Sequence, residues 1–467
     1  MADKKITALS VLDDSEISLD DQIVVVDVSD TTMSSSGTTK RASIRAARYG
    51  VDALSIGVPG AQGFGVGIAP SLPSGFFRMS GTEDPTSENY GNYTYADGSV
   101  MVYVPAFFYK VGTGSNGLAV NVVDVKPFGA FATVSDANGA GYALHRAFYN
   151  AGQIRQGFFV DKYLASNNAG VASSIKNGVP LSSAQRGSLS TAVFSALNGA
   201  PANNYGGALA AAKTRGSRFF CNTRFIFAAL ALLSVAHGQA STSAAFCAWY
   251  SSGSTNFPKG CNNSALGDAN DAAIAYTSDG NGAYLCGKTG SASLFSRTTH
   301  NGQACGVADL NGLLWEINTG LTSDGSNYYL LKTAADAAAI TGGNTLATDG
   351  WGATGIAALY DSLGATYESM TASNSYKTIG SASQVLSQAV SGNAWAAAGA
   401  GIPLVGGTGG SNLFGNDGLW DYRPNELCVV SGGGWDGGSN AGVVALALYT
   451  ERRASTSGVG FRAASYL

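Results

Sequence analysis

The chain has 467 residues, of which only 12% are charged and 63 are glycine. A single hydrophobic core rarely grows beyond roughly 300 residues, so several cores are expected. Its 27 lysines and arginines are outnumbered by 31 aspartates and glutamates. No excess of positive charge is available to bind a phosphate backbone, which argues against nucleic acid as a partner.

The sequence of residues 1–55 predicts little independent structure. Its start, MADKKITALSVLDDSEIS, lacks the apolar core of a secretion signal, which argues against Sec export. We predict one strand at residues 22–30, then a loop at 31–43 and a short basic segment. A region this small buries too little apolar surface to be stable alone. We expect it to fold against copies of itself or against a partner.

Two further regions differ in their patterns. Residues 56–150 are predicted to form a β-rich connector domain, with strands in GSVMVYVPAFFYKV at 98–111 and turn signals around them. Residues 151–467 mix a strand at 156–166, one helix from about Thr223 and long loops. The fold class is therefore predicted as α+β, with β-rich N-terminal and connector domains before a larger C-terminal domain.

The most apolar run, at residues 225–236, is too short for the roughly 18 residues that cross a bilayer. We predict a buried helix capped by Thr223 and no membrane insertion. Both of its faces are apolar, so other segments must cover it. The long loops at 238–310 carry apolar side chains and are expected to pack; these side chains include Trp249, Tyr250, Phe257 and Leu294.

Two glycine-rich motifs are interpreted as chance matches. GAYLCGKT at 282–289 satisfies the P-loop pattern, but an apolar run replaces the flexible anion-binding turn and no amphipathic helix follows. GFGVG at 63–67 lacks the strand, helix and later acid of a dinucleotide site. We predict loops at both positions.

Metal and cofactor signals are weak, so no cofactor is predicted. The three histidines belong to no catalytic or zinc motif and are expected to be structural. The six cysteines form no CxxC pair; we predict reduced, packed thiols, with paired disulfides as the alternative. The acidic loops at 267–273 and 277–282 are predicted to be solvated turns, with structural calcium as the alternative.

Several motifs support a resemblance to the C-type lectin fold, in its formylglycine-generating-enzyme branch. In chain order they are GFFVDKYLAS at 157–166, FFCNTRFIFAALALL at 219–233, NGLLWEI at 311–317 and the closing set SGGGWDGG...GVGFRAA at 431–464. Ile226 and Asn222 depart from the residues usual in that family. The resemblance implies a C-type-lectin-like domain at 151–467.

The enzymatic chemistry of that branch is not expected in this chain. For an enzyme of that branch, the resemblance implies a copper-bound pair of thiols close to the C-terminus, usually with one cysteine directly after GFR. Here Ala463 and Ala464 follow that motif, and no cysteine comes after Cys428. We therefore predict a protein that binds a ligand and is not an enzyme.

The ending also resembles the variable proteins of diversity-generating retroelements, which include phage tropism determinants. That resemblance implies a variable ligand-binding surface at about 430–460. We expect a strand at 442–450 with Val444, Leu446 and Leu448 facing the core and Ala447 and Tyr449 exposed, because side chains alternate along a strand. The predicted receptor-binding residues are Asp436, Gly437, Ala447, Tyr449, Thr450, Glu451, Arg453, Ala454, Thr456 and Ser457.

The opening of the chain, with ITAL near its start and GTTKRASI at 37–44, resembles the attachment segment of phage tail-fibre and tail-tip proteins. Together the resemblances imply a trimeric virion protein, folded in the host cytoplasm. Residues 1–55 would attach it to phage tail or fibre proteins, and its C-terminal domain would bind a bacterial cell-surface receptor. The alternatives are a formylglycine-generating-type oxidase, a bacterial or prophage variable surface protein, and a purely structural tail component.

Overall fold

The computed structural model describes residues 22–27, 38–43, 55–252, 257–258, 260, 264–269, 271–340, 356–363, 375–378, 386–403 and 416–467. Within them the chain is a mixed α+β structure with many short strands and few helices, which confirms the predicted class. The strands, numbered in chain order, are β1 Gln22–Asp27, β2 Thr38–Ser43, β3 Phe76–Arg78, β4 Asn92–Tyr95, β5 Val100–Pro105, β6 Phe107–Val111, β7 Val123–Pro127, β8 Ala143–Leu144, β9 Tyr149–Asn150, β10 Gln153–Ile154, β11 Gly157–Asp161, β12 Ala165–Asn168, β13 Val171–Ser174, β14 Phe220–Cys221, β15 Trp315–Asn318, β16 Leu321–Ser323, β17 Tyr328–Leu331, β18 Tyr360–Ser362, β19 Ser375–Thr378, β20 Gly418–Asp421, β21 Val429–Ser431, β22 Leu446–Ala447, β23 Val459–Gly460 and β24 Ala463–Tyr466. The helices are α1 Val134–Gly139, α2 Asn204–Lys213, α3 Arg224–Ala240, α4 Ile356–Leu359 and α5 Gly392–Gly399.

The first two strands form an isolated antiparallel hairpin. β1 confirms the strand predicted from residue 22, although it ends at Asp27. The prediction of a loop throughout 31–43 is wrong, because Thr38–Ser43 pairs with β1 along its whole length. Backbone pairing between the two segments overrides the low strand propensity of a polar sequence.

A six-stranded sheet has the order β14-β24-β11-β5-β4-β3. Strand β11 lies at its centre, paired antiparallel with β5 on one side and with the C-terminal strand β24 on the other. The predicted boundary at residue 150 therefore falls between strands that share one sheet. The regions before and after residue 150 therefore share this sheet and do not have separate cores.

A second six-stranded sheet has the order β19-β20-β22-β21-β15-β23. Strand β22 lies inside it, parallel to β20 and antiparallel to β21. β15, which contains the WEI motif, pairs with β21 and with β23, whose Gly460 begins the GFR motif. The recognised motifs are thus hydrogen-bonded neighbours although they lie far apart in the sequence.

Helix α3 runs through the main core, as the apolar run predicted. The Thr223 hydroxyl accepts a hydrogen bond from the Ile226 amide at 3.2 Å, which confirms the predicted N-cap. Every residue from 224 to 238 is buried. Arg224 donates to the carbonyl oxygen of Ala400 at 2.7 Å, just beyond the end of α5, where the helix dipole favours a cation.

The loops at 238–310 pack in part, as expected. Trp249 and Phe257 are buried, Tyr250 is half-buried and Leu294 is exposed. Five cysteines are free and buried, which confirms packed thiols for these positions, whereas Cys261 lies outside the described residues. No helix within the described ranges is long and apolar enough to cross a membrane.

Candidate functional site

A buried guanidinium holds the C-terminal segment against the rest of the fold. Arg462, in the GFR motif, makes a bidentate ion pair with Glu316 of the WEI motif, with both N to O distances at 2.6 Å. Its other donors reach the carbonyl oxygens of Asp161 at 3.0 Å, Lys162 at 3.3 Å and Ala308 at 2.8 Å. All five N–H groups of the guanidinium are therefore used, which satisfies a charge with no access to water.

A second buried ion pair lies beside the first. Arg215 donates to both carboxylate oxygens of Asp161, with one N to O distance at 2.7 Å. The Ala463 amide also donates to that carboxylate at 2.8 Å. Asp161 belongs to the DKY motif and Ala463 follows the GFR motif, so these bonds fix strand β24 against β11. The motif residues form a rigid frame below the C-terminal surface.

The glycine-rich turn of the closing motif requires its glycines. Gly432 has φ of +90°, and a Cβ at that position would lie 2.3 Å from the Leu310 carbonyl oxygen. Its amide donates to the Ala445 carbonyl at 3.0 Å, and its carbonyl accepts from the Gly442 amide at 2.9 Å. These bonds close residues 433–441 into a loop at the edge of the second sheet.

The predicted receptor-binding residues separate by exposure. Four have exposed side chains, namely Asp436, Tyr449, Glu451 and Arg453. Four more are half-buried, namely Gly437, Ala454, Thr456 and Ser457. Tyr449, with 41% of its surface exposed, confirms that the end of this segment faces solvent.

Two of the predicted surface positions are wrong. Ala447 has no exposed surface, and neither has Leu446 on the opposite face of β22, so both faces of this strand are covered. Thr450 is buried beside Cys428, whose amide donates to the Thr450 carbonyl at 2.8 Å. Of the strand expected at 442–450, only Leu446–Ala447 forms. Neither face of this short strand is exposed to solvent.

Some of the half-buried residues also have a structural role. The Ser183 hydroxyl donates to the Thr456 carbonyl at 2.9 Å and accepts from the Thr456 amide at 2.8 Å. The Asn204 amide donates to the Ala454 carbonyl at 2.7 Å, at the start of helix α2. The backbone of residues 454–457 is therefore anchored, while their side chains lie at the edge of the surface.

Aromatic residues extend this surface, and for two of them, Tyr284 and Trp420, no sequence pattern had indicated a place in the site. Tyr284 is exposed and lies against half-buried Trp435, with ring centroids 4.9 Å apart. Trp315 and Trp420 meet edge to face at 5.4 Å, and Trp315 borders Gly434. We call Tyr284, Trp315, Trp420, Trp435 and Tyr449 the aromatic surface.

Charge on this surface is sparse and mainly acidic. Partial burial and the nearby carboxylate of Asp436 raise the pKa of Tyr449, so its phenol stays neutral at physiological pH. Arg453 is paired with Glu426 at 3.4 Å. A surface of large rings and small polar groups provides contact area at low entropic cost, as in antibody binding sites.

The motifs predicted to be chance matches have structural contacts. In the P-loop-like segment, the Thr289 hydroxyl donates to buried Asp309 at 2.8 Å, and a single 3₁₀ turn at Phe295–Thr298 follows in place of an α-helix. The expectation of solvated turns is wrong at Asp279, which is buried and paired with Arg186 at 2.7 Å. The described residues contain no group of three or more His, Cys, Asp or Glu side chains that could bind a metal ion.

The histidines and thiols are held in their neutral forms. Burial lowers the pKa of His145 and His300 to about 3 and that of His237 to about 4, and each ring accepts a backbone hydrogen bond. Burial raises the pKa of the Cys428 thiol to about 12. The buried histidines are therefore not suited to act as general bases, and the buried thiols are not suited to act as thiolate nucleophiles.

Comparisons with known proteins gave little similarity. No family model matches the sequence, and no curated protein matches it. One similar solved structure is named "Major Tropism Determinant P3c Variant", with 13% sequence identity and a TM-score of 0.29 over 85% of this chain and 73% of that chain. A TM-score at this level defines neither fold nor function, so the interpretation rests on the contacts described above.

Proposed function

We propose that this chain is a receptor-binding protein of a phage tail fibre or tail tip. In this proposal, residues 151–467, together with strands β3 to β5 of the same sheet, form a C-type-lectin-like fold that binds a receptor on the bacterial surface without catalysis. One observation carries the proposal: side chains that vary in size and charge are exposed on a segment whose backbone is fixed by buried ion pairs.

The division between frame and surface supports a binding role. Arg462 and Glu316 are buried below the C-terminal segment, whereas Asp436 and Tyr449 project from it. Exposed side chains on such a frame can change without large loss of stability, since substitutions away from the core usually alter it by less than about 0.5 kcal/mol. This is what a surface that adapts to new receptors requires.

The rest of the proposed assembly is what the sequence resemblances imply. The hairpin of β1 and β2 has little surface to bury alone, so we propose that residues 1–55 attach to phage tail or fibre proteins. A homotrimer would present three copies of the surface, and simultaneous binding can raise avidity by about 10² to 10⁴. We propose a virion location after folding in the host cytoplasm.

The test is binding of the fluorescently labelled full chain to a panel of bacterial strains. Replacing the four exposed residues of the C-terminal segment together with alanine should reduce binding at least about tenfold, as loss of a central contact group does. The four are Asp436, Tyr449, Glu451 and Arg453.

The matched control is Phe77→Ala, because Phe77 is a 57% exposed aromatic residue on edge strand β3. This control should bind cells as the parent chain does. If the quadruple variant binds cells as well as the control does, the receptor-binding proposal is refuted and a purely structural tail component is favoured. Detection of the chain in purified particles separates a virion protein from a bacterial or prophage surface protein.

A further inference from the structure

A buried lysine and a buried asparagine meet at the first six-stranded sheet, and neither belongs to the proposed receptor-binding surface. The Lys162 side-chain nitrogen donates to the Asn92 side-chain oxygen, with 2.5 Å between Nζ and Oδ1. Ordinary N–H···O hydrogen bonds measure about 2.7 to 3.2 Å. Lys162 exposes 4% of its surface and Asn92 exposes none. The two side chains are therefore in close contact at a site that is largely closed to water.

Both residues are positioned by neighbouring strands. Asn92 is the first residue of β4 and pairs with Val102 of β5. Lys162 directly follows β11, which pairs with β5 on its other side, and the Lys162 amide donates to the Val100 carbonyl at 3.0 Å. Because a C=O bond is about 1.23 Å long, Lys162 Nζ lies at most about 3.7 Å from Asn92 Cγ. Reacting atoms held about 3 to 3.5 Å apart reach effective molarities of about 10⁵ to 10⁸ M.

The Asn92 amide is fixed with its oxygen toward the lysine. Its Nδ2 group donates to the carbonyl oxygens of Tyr90 at 2.7 Å and Cys305 at 2.8 Å. Both amide hydrogens are thus used, and a flipped amide would place its oxygen against two carbonyl oxygens. The carbonyl end of this amide therefore stays beside Lys162 Nζ.

The hydrogen-bond partners of Lys162 Nζ are neutral. Besides Asn92, they are the carbonyl oxygens of Ala304 at 2.7 Å and Glu88 at 3.4 Å. The Phe295 ring centroid lies 5.5 Å from Nζ. Burial lowers the pKa of Lys162 to about 8, although the charge of the Glu88 carboxylate acts in the opposite direction. An appreciable fraction of the amine is therefore neutral near pH 8, and the neutral amine is the nucleophilic form.

We propose that Lys162 and Asn92 join spontaneously in an isopeptide bond. Nζ attacks the side-chain carbonyl carbon of Asn92, a C–N bond forms there, and the bond from that carbon to Nδ2 breaks. The two protons that the Lys162 ammonium gives up pass to Nδ2, which leaves as ammonium, so no oxidant or cofactor is consumed. The Glu88 carboxylate, whose charge acts on Lys162, relays these protons. The product covalently links the start of β4 to the end of β11 across β5.

The test is mass spectrometry of the purified full chain, held folded at pH 8 and then denatured. The intact chain should be lighter than its sequence by the mass of one ammonia molecule. Trypsin should not cleave after Lys162, so peptides 79–110 and 156–176 should appear as one branched species. An intact mass equal to that of the sequence, or release of separate peptides 79–110 and 156–162, overturns the proposal.

Variants at the two positions distinguish this bond from loss of ammonia elsewhere in the chain. Lys162→Arg keeps the positive charge but has no nucleophilic amine, so it should keep the full mass, and so should Asn92→Ala. The matched control is Lys176→Arg, because Lys176 is exposed and lies over the same Phe295 ring at 5.1 Å. This control should lose one ammonia, as the parent chain does. Loss of ammonia from Lys162→Arg, or the full mass in Lys176→Arg, would overturn the assignment to this pair.

Glu88→Gln tests the proton relay. In freshly synthesised chain this variant should form the bond at least about tenfold more slowly than the parent, since a positioned proton carrier contributes about 10² to 10⁴ in rate. An equal rate would overturn the role given to Glu88. The bond and receptor binding are independent, because none of the predicted receptor-binding residues belongs to this pair.

Discussion

Replacing Glu316 with glutamine removes one buried charge while keeping the shape of the side chain. Glu316 and Arg462 are both excluded from solvent, and the two hydrogen bonds between them measure 2.6 Å. In Glu316→Gln the guanidinium stays buried without its counter-charge. Breaking a buried ion pair by removing one partner costs about 3 to 5 kcal/mol, because the remaining charge is no longer compensated. We expect a loss of this size in the free energy of unfolding.

The assay is urea-induced unfolding followed by tryptophan fluorescence, since Trp315 directly precedes the changed residue. Glu426→Gln is the matched control, because Glu426 pairs at 3.4 Å with an Arg453 side chain that is 64% exposed. An exposed pair contributes at most about 1 kcal/mol. The double variant Glu316→Gln and Arg462→Met should recover part of the loss, because no unpaired charge remains. Equal stability of Glu316→Gln and the control would refute the role given to this pair.

Three further predictions concern packing, pH and thiol reactivity. Ala447→Gln should lower the free energy of unfolding by about 2 to 4 kcal/mol through overpacking and a buried amide, whereas Tyr449→Gln should change it by less than about 1 kcal/mol in the same urea assay; similar losses in both would contradict the burial pattern. Because burial lowers the pKa of His300 to about 3 from an ordinary value of 6.5, its contribution to stability is complete above pH 6.5 and is lost as pH falls toward 3. Unfolding at pH 7 and pH 4 should therefore show a smaller decline for His300→Gln than for the parent chain, and an equal decline would count against a buried neutral ring. The buried Cys428 and the four other described cysteines should resist maleimide at pH 7 in the folded chain, so mass spectrometry should show at most one label, at Cys261, and further labels would mean that these thiols are accessible.

Helix α3 and strand β1 could be predicted from the sequence, because short-range patterns of residues determine them. The apolar run and the hydroxyl of Thr223 were enough to place helix α3, since capping and periodicity act within a few residues. The Val-rich strand β1 was found for the same reason. Its partner β2 was missed because strand pairing depends on a distant segment and not on the polar residues of Thr38–Ser43 themselves.

The candidate site was predicted only in part for a similar reason. Alternation along residues 442–450 assumes a strand with one solvent face, but both faces of β22 are covered, because Leu446 on one face and Ala447 on the other are buried. The motifs placed Glu316 and Arg462 in the same fold, yet their ion pair joins residues 146 positions apart and needed the structure. Tyr284 and Trp420 join the surface through the same long-range packing.

The central claim is that exposed side chains of the C-terminal segment vary independently of the frame below them. The most direct measurement is the unfolding free energy of variants drawn from two libraries of equal size. The first randomises the exposed positions Asp436, Tyr449, Glu451 and Arg453, and the second randomises the buried positions Val430, Leu446, Ala447 and Leu448. We predict that most members of the first library stay within about 1 kcal/mol of the parent chain and that most members of the second do not fold. Equal loss of folding in the two libraries would contradict the claim.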